Sequence, residues 1–254
     1  MSEIYQIITF YEFKALNNLP EIKQIVKNAM QENSILGTIV FAGEGFNATV
    51  SGLIADVENF IAIFEEVLET KLICKSSFHK ECPFLKIKVK IKKEIVSLRQ
   101  QVSIEKGIGT HAKPENWNEI ISDAETIILD VRNDYEVKVG TFRGAINPNI
   151  EKFSDLPKFV VENLNPEKHK KVAMFCTGGI RCEKFAPLMK ELGFAEVYQL
   201  EGGILKYLEE TPENESLWEG ECFVFDDRIA VDGSLRRGTT EDARPLTLNP
   251  PQKK

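Results

Sequence analysis

Apolar positions in the first third of the chain switch repeatedly between strand spacing and helical spacing. The predicted elements are strands at residues 4–13, 37–42, 46–50 and 85–91 and helices at residues 19–30 and 57–68. In the last of these strands, Leu, Ile and Val alternate with lysines. Because successive side chains of a strand point to opposite faces, one face of this strand is buried and the other is basic.

The order of these elements, β-α-β-β-α-β, is that of the ferredoxin-like motif. We therefore expect residues 1–95 to form a small α+β domain. Residues 96–118, which are punctuated by Gly107, Gly109 and Pro114, are interpreted as a connector. Pro114 and the acidic Glu115 next to it predict a helix start at the end of this connector.

Strand and helix patterns alternate from residue 119 onward, which is typical of a doubly wound parallel sheet. We expect this second domain to span residues 119–217 and a carboxyl-terminal extension to span 218–254. From Asp232 the extension is rich in Gly, Arg, Thr and Pro and has little apolar periodicity, so this part is predicted to be loose.

Composition narrows the class of protein. The chain has 254 residues, 43% of them hydrophobic and 28% charged, and a net charge of −7. This acidity does not favour nonspecific binding to nucleic acid, although a local basic patch could still supply it. No apolar run approaches a membrane span, and the amino terminus lacks the pattern of a signal peptide. We expect a cytoplasmic protein whose five cysteines are reduced.

One short loop holds most of the candidate chemistry. An apolar run at 172–175 leads into Cys176-Thr177-Gly178-Gly179-Ile180-Arg181-Cys182, and a helical pattern follows over residues 183–192. A thiol at the start of a helix, among backbone N–H groups, ionises easily because both features favour an anion. The glycines allow the loop to curl, and Arg181 adds a fixed positive charge. A buried structural cysteine would explain neither feature, so Cys176 is predicted to be a nucleophile.

The spacing of the loop narrows the chemistry further. Four residues separate Cys176 from Arg181, whereas the phosphatase signature has five, so this loop suits a smaller group on sulfur. In this respect it resembles the active-site loop of rhodaneses. Residues 127–148 resemble the first rhodanese signature, with Thr141 where a histidine is usual, and residues 197–204 resemble the closing one.

Two sets of polar residues near these motifs have alternative interpretations. Cys182 could donate to the Cys176 sulfur or resolve its oxidised form as a disulfide, or it could simply be a residue of the first helical turn. Asp130, Arg132 and Glu136 could form a metal site or an acid–base site, but in the rhodanese pattern they form a charged, hydrogen-bonded brace under the loop. No metal-ligand spacing is seen among the histidines and the remaining cysteines.

Basic side chains of the strand at 85–91 are the densest positive cluster in the sequence. The candidate nucleic-acid contacts are Lys86, Lys88, Lys90 and Lys92. They could contact phosphates, or they could form a solvated face that guards a sheet edge.

Taken together, both halves resemble the bacterial rhodanese-like tRNA uridine hydroxylases. The shared strings include residues 42–47, 85–96, 114–117, 130–136, 176–184, 201–208 and 220–228. The resemblance implies hydroxylation of the wobble uridine at carbon 5 to give 5-hydroxyuridine, with O2 and an electron donor. It also implies that Cys176 forms a persulfide and that the partner is the anticodon loop of tRNA. Many relatives have a cysteine-containing tail, whereas residues 232–254 contain no cysteine.

The mechanism and one alternative activity stay open at this point. A thiolate or persulfide at Cys176 could add to carbon 6 of uracil, or an oxidised form of Cys176 could deliver oxygen. No cofactor site is evident in the sequence. The same loop would also suit a sulfurtransferase that carries sulfane sulfur as a cysteine persulfide.

Overall fold

A computed structural model describes residues 4–102 and 109–241. The chain forms two compact units that meet in sequence between Ser97 and Leu98. Gly107 of the predicted connector and the end of the predicted extension, residues 242–254, lie outside the described residues. Within the described ranges, no helix combines the length and the apolar character that a membrane span requires.

The first unit consists of one mixed sheet and two helices. Its elements are β1 (Tyr5–Phe13), α1 (Leu19–Glu32), β2 (Leu36–Ala42), β3 (Gly45–Leu53), α2 (Ile54–Leu68), β4 (Lys75–His79) and β5 (Ile87–Ile91). The strand order is β4-β1-β3-β2-β5. β5 runs parallel to β2, whereas the other neighbouring strands are antiparallel.

Aromatic side chains pack α2 of this unit against one face of the sheet. Phe10 and Phe46, from the central strands, pack edge-on against Phe64 of α2 at ring distances of 5.1 Å each. Phe41 and Phe60 complete the ring cluster around Phe64, and all five side chains are fully buried. Burial of aromatic area of this size stabilises the contact between α2 and the sheet.

The sequence pattern missed one strand of this unit. The lysine strand was expected to be the fourth and last, but β4 occupies the fourth place, beside β1. The lysine strand is a fifth, β5, and it forms the opposite edge of the sheet, beside β2. β4 has the sequence Lys-Ser-Ser-Phe-His and little apolar alternation, because it is an edge strand on which no side chain is fully buried.

The second unit is built on a parallel sheet. Its elements are β6 (Thr110–Ala112), α3 (Pro114–Ser122), β7 (Thr126–Asp130), α4 (Asp134–Val137), β8 (Gly140–Phe142), α5 (Leu156–Asn163), β9 (Lys171–Phe175), α6 (Ile180–Glu191), β10 (Glu196–Leu200), α7 (Gly203–Glu210), β11 (Trp218–Gly220), β12 (Cys222–Phe223) and β13 (Ala230–Val231). The parallel strands have the order β6-β10-β9-β7. β8 pairs with β11, and β12 pairs with β13.

Strand β9 lies at the centre of this unit, between β10 and β7. Its residues Val172, Ala173, Met174 and Phe175 are fully buried, which requires cover on both faces of the sheet. On one side Phe175 packs in a core with Trp117 of α3 and Tyr207 of α7. The next residue, Cys176, therefore lies at the carboxyl-terminal end of the parallel strands, directly after the central strand.

The structure differs from the predicted boundaries at both ends of the second domain. β6 lies inside the interval interpreted as a connector, because it pairs with β10 and extends the sheet. The helix start predicted at Pro114 is confirmed, since α3 begins there. In the segment predicted to be loose from residue 232, Thr239 and Thr240 each donate two hydrogen bonds to the Glu221 carboxylate. The described part of that segment, up to residue 241, is thus tied back to the domain.

Candidate active site

Cys176 directly follows β9, and α6 begins four residues later, at Ile180. Gly179 precedes the helix with φ of 98°, a conformation that favours glycine, and its N–H donates to the Cys176 Sγ at 3.1 Å. The backbone N–H groups of Arg181 and Cys182 also donate to this sulfur. Thr177 and Gly178 complete the loop, whereas Ile180, predicted as part of it, is the first residue of α6. The thiol therefore sits at the positive end of a helix.

The surroundings of Cys176 stabilise its thiolate. Burial acts to raise the pKa of Cys176, because a low-dielectric site disfavours charge. The hydrogen bond from Cys182, the charge of Arg181 and the backbone N–H donors oppose burial and lower the pKa to about 5. Near neutral pH the sulfur is thus an anion, which is the nucleophilic form of cysteine.

Cys182 is the hydrogen-bond donor in this thiol pair. Its side chain is fully buried in the first turn of α6. Burial, the hydrogen bond to Cys176 and the negative charge of that neighbour raise the pKa of Cys182 well above its usual value. One proton is therefore held between two sulfurs, on the Cys182 side, and Cys176 is the nucleophile of the pair.

Arg181 is fixed by a carboxylate from another element. Its Nη1 and Nη2 donate to the two carboxylate oxygens of Glu136, in α4, at 2.7 Å each. Nη2 also donates to the Thr177 hydroxyl at 3.4 Å. Burial acts to raise the pKa of Glu136, but Arg181 holds that pKa below its usual value. The bidentate pair fixes the orientation of the guanidinium under the loop.

Arg132 and Asp130 form a second buried ion pair, in addition to the pair of Arg181 and Glu136. Arg132 Nε and Nη2 donate to the Asp130 carboxylate at 2.9 Å and 2.6 Å, and Nη2 also donates to the Gly140 carbonyl at 2.6 Å. The Thr141 hydroxyl donates to Asp130 at 2.8 Å, so the residue that replaces the usual histidine takes part in the network. The structure thus brings Asp130, Arg132 and Glu136 together, and their role as a brace of the loop stays a prediction.

The amino-terminal end of α7 supports the loop from a third direction. The N–H groups of Ile204 and Leu205 donate to the carbonyl oxygens of Cys176 and Thr177 at 3.0 Å and 3.1 Å. A Cβ on Gly203, which has φ of 68°, would come within 2.5 Å of the Cys176 carbonyl oxygen. Glycine is therefore required here, and the Gly-Gly pair before a helical pattern is the sequence signal for it.

Sequence reasoning assigned no role to Cys222, which the structure places beside the brace. This thiol is fully buried, and its pKa is raised to about 12 by burial, against the opposing charge of Arg132. It therefore stays protonated and unreactive. Within residues 4–102 and 109–241, no group of three or more His, Cys, Asp or Glu side chains could hold a metal ion.

The candidate lysines belong to the first unit and lie on or beside the edge strand β5. Lys86, Lys88, Lys90 and Lys92 are all exposed. Lys88 continues a cross-strand row through Thr38, Thr49 and Thr9 to Lys75, since paired residues of adjacent strands share a face. The Lys75 Nζ lies 5.1 Å from the Tyr11 ring centre. The edge position is also one where lysines discourage strand pairing between molecules.

Comparison with known families matches each unit separately. Residues 5–95 match a family model described as a UPF0176 acylphosphatase-like domain, and residues 113–210 match one described as a rhodanese-like domain. The chain belongs to the rhodanese-like proteins with a UPF0176 amino-terminal domain. This places a ferredoxin-like domain before a rhodanese domain with a parallel sheet, as the sequence predicted.

Solved structures with partial similarity include examples of both domain types. The rhodanese-like domain of the Alr3790 protein from Anabaena sp. is 18% identical, covers 44% of this chain and 80% of its own, and has a TM-score of 0.37. An acylphosphatase from Bacillus subtilis is 10% identical, covers 35% of this chain and 97% of its own, and has a TM-score of 0.25.

For this rhodanese-like protein, the two family matches give a general functional class. The rhodanese-like domain indicates an enzyme. The combination of the two domains supports chemistry of the sulfurtransferase type or a role in tRNA modification.

Proposed function

We propose that the protein hydroxylates carbon 5 of the wobble uridine of tRNA, with O2 and an electron donor as co-substrates, in the cytoplasm. The observation that carries the proposal is the Cys176 thiolate, held by helix-end donors in a chain that matches both family models. A nucleophile of this kind is what a pyrimidine needs for activation. Residues 176–184 resemble the uridine hydroxylases, and this favours RNA rather than a small thiol as the substrate of the nucleophile.

The chemistry begins with addition of sulfur to carbon 6 of uracil. The thiolate of Cys176, or its persulfide, forms the bond to carbon 6, and the electron pair of the ring double bond moves to carbon 5. Carbon 5 is then enolate-like and reacts with an oxygen species derived from O2. Loss of the carbon 5 proton and departure of sulfur restore the double bond. Overall, O2, two electrons and two protons are consumed, and one oxygen atom leaves as water.

The residues around the sulfur have separate tasks in this scheme. The backbone N–H groups of Gly179, Arg181 and Cys182 stabilise the thiolate when it leaves carbon 6. Cys182 is protonated beside the Cys176 thiolate. If Cys176 is oxidised to a sulfenic acid, the Cys182 sulfur can attack it, and the Cys182 proton leaves with the sulfenic hydroxyl as water. Two equivalents of an external thiol then reduce the disulfide and regenerate both groups. Arg181, paired with Glu136, fixes the direction in which the loop presents the sulfur.

Recognition of RNA requires a base that is turned out of its stack. Cys176 is buried, with 1% of its surface exposed, so a uracil inside a stacked anticodon loop could not reach it. The row from Lys88 to Lys75, with threonine hydroxyls between the two lysines, offers donors for the phosphates of the anticodon arm. These contacts would supply local positive charge in a protein with a net charge of −7.

A sulfurtransferase is the second candidate, and the same loop favours it. The N–H donors around Cys176 would also stabilise a persulfide anion, and the loop is too short to enclose a phosphate. In that case the sulfane sulfur would pass to a thiol acceptor, and tRNA would not be needed.

Mass spectrometry of tRNA nucleosides distinguishes the two. We expect 5-hydroxyuridine and the modifications derived from it to disappear when the gene is deleted. Re-expression of the wild-type protein should restore them, whereas a folded Cys176→Ser variant should not. Unchanged 5-oxygenated uridines in the deletion strain would exclude the hydroxylase. Loss of thiosulfate-dependent sulfur transfer in the same extract would then select the sulfurtransferase.

A further inference from the structure

A small hairpin in the second unit presents an aromatic ring to solvent. Its strands are β12 and β13, and the Val224 N–H donates to the Ile229 carbonyl at 2.8 Å, which extends the pairing toward the tip. Phe225 stands at this tip with 57% of its surface exposed. Its neighbours Phe223, Val224 and Asp226 are buried, so Phe225 is the exposed ring of an otherwise buried segment.

The tip is held in one conformation. Arg228 Nε and Nη2 donate to the Asp226 carboxylate at 2.9 Å and 2.6 Å, and both side chains are at most 5% exposed. Ile229 has φ of 68°, which is unusual for a β-branched residue and costs conformational energy. Since the surrounding hydrogen bonds enforce this backbone, Phe225 is presented rigidly rather than on a flexible loop.

Ring contacts lead from Phe225 to the side of the active site. The Phe225 ring meets Phe223 edge-on at 5.1 Å, and Phe223 meets Tyr135 in the same way at 5.3 Å. Tyr135 is the residue before Glu136, and it interacts electrostatically with Arg181. Two ring contacts thus connect the exposed Phe225 to Tyr135, which is next to Glu136 in sequence and belongs to the same unit.

We propose that Phe225 is a stacking platform for a base of the single-stranded RNA next to the modified uridine. The inference rests on the proposed function, since it assumes an RNA substrate. A rigid exposed ring suits a nucleobase, because stacking needs one flat face and tolerates any base. Arg237 is exposed and forms an antiparallel β-bridge with Val231 of β13. Its positive charge would be available to the RNA backbone.

Within residues 222–231, the polar surroundings of the ring argue against a protein partner. Asp227, beside Phe225, is exposed, and within residues 222–231 Phe225 is the one large hydrophobic side chain on the exposed surface. A docking site for a protein would need a contiguous apolar patch, which this hairpin does not provide.

The test compares RNA binding by variants of the full-length protein. The probe is a synthetic anticodon stem-loop with an unmodified wobble uridine. We expect Phe225→Ala to weaken binding at least about fivefold, as loss of one stacked base predicts. Phe225→Trp should bind like wild type, and RNA should quench its added fluorescence, against a background of the largely buried Trp117 and Trp218.

Phe78 provides the matched control. It is 52% exposed and lies on β4, on the sheet face opposite Lys75 and Lys88, so Phe78→Ala should leave RNA affinity unchanged. Persulfide formation at Cys176 from thiosulfate should be unchanged in every variant, which verifies that the loop is intact.

Each outcome separates this inference from the proposed function. Equal affinity of Phe225→Ala and wild type for the stem-loop would overturn the stacking role. If wild type does not bind the stem-loop at all, the stacking role and the tRNA substrate both fail. Weakened binding in Phe225→Ala, together with unchanged 5-hydroxyuridine after gene deletion, would retain the RNA platform and reject the hydroxylation.

Discussion

Replacing Cys182 tests how the Cys176 thiolate is stabilised at the scale of single residues. Cys182→Ala removes the thiol donor, so the pKa of Cys176 should rise from about 5 toward its ordinary value of 9.0. Cys182→Ser keeps an O–H donor and should leave the pKa close to that of wild type. The measurement is the rate of alkylation of Cys176 by iodoacetamide as a function of pH, with the modified residue identified by mass spectrometry.

The same pKa shift has a consequence for stability. Because the folded-state pKa of Cys176 is depressed, the unfolded chain binds more protons than the native protein between about pH 5 and about pH 9. The contribution of this thiolate is therefore fully present above the unfolded pKa and is lost as pH falls toward about 5. The stability of wild type relative to Cys176→Ala should rise with pH in this window. Parallel curves for the two proteins would contradict the depressed pKa.

Arg181 requires a design that separates its charge from its role in the ion pair. Arg181→Ala should raise the pKa of Cys176, and it should also destabilise the fold by about 3–5 kcal/mol, because it leaves Glu136 charged, buried and unpaired. Adding Glu136→Gln removes that charge and should recover much of the stability, whereas the Cys176 pKa should stay high. Urea unfolding and the alkylation profile measure the two effects. Recovery of both properties in the double variant would show that Arg181 acts on Cys176 only through the fold.

Single residues were predictable where the chemistry is local in sequence. Cys176, Arg181 and Cys182 lie within seven consecutive residues, so a strand, loop and helix pattern was enough to bring them together. Glu136 reaches Arg181 from 45 positions away, and only the resemblance to a known motif suggested that it belonged to the site. The hydrogen bond from Thr141 to Asp130 depends on the placement of β8, which no spacing rule supplies.

At the scale of elements, the contact between α7 and the catalytic loop gives a sharp test. In Gly203→Ala the new methyl group would meet the carbonyl oxygens of Cys176 and Thr177 at 2.5 Å and 2.7 Å, at a backbone conformation that alanine disfavours. We expect a destabilisation of at least about 1–3 kcal/mol and a loss of Cys176 reactivity, since the loop has to shift. Gly233→Ala is the control, because nothing lies within 4 Å of its added methyl group. Equal unfolding midpoints for the two variants would mean that α7 does not constrain the loop.

Elements with a buried face were predicted well, and edge strands were not. β1, β2, β3 and both helices of the first unit have apolar residues at a regular period, because one face of each packs on the core. β4 and β6 are strands because each is hydrogen-bonded to a neighbouring strand. Apolar and polar residues hardly alternate in their sequences, Lys-Ser-Ser-Phe-His and Thr-His-Ala. Because β4 was missed, the lysine strand was predicted as the fourth strand of the unit, whereas it is the fifth.

At the scale of the whole molecule, the question is how an acidic protein would hold tRNA. Lys86, Lys88 and Lys90 are exposed on or beside β5, and local positive charge of this kind can bind phosphates despite a net charge of −7. Changing all three to Glu should weaken binding of tRNA, and each lost phosphate contact should reduce the salt dependence of binding by roughly one unit of slope or less. Persulfide formation at Cys176 should be unaffected, because its residues all belong to the other unit.

The control for the lysine variant must change net charge equally without touching β5. Lys23, Lys27 and Lys80 lie elsewhere in the first unit, so changing them to Glu gives the same overall charge at a different place. We expect this control to bind tRNA more tightly than the β5 variant at every salt concentration, with a slope close to that of wild type. Binding of both variants and wild type would be followed by filter retention over a salt series. If the two triple variants lose affinity equally, only net charge matters and β5 is a solvated edge that discourages strand pairing between molecules.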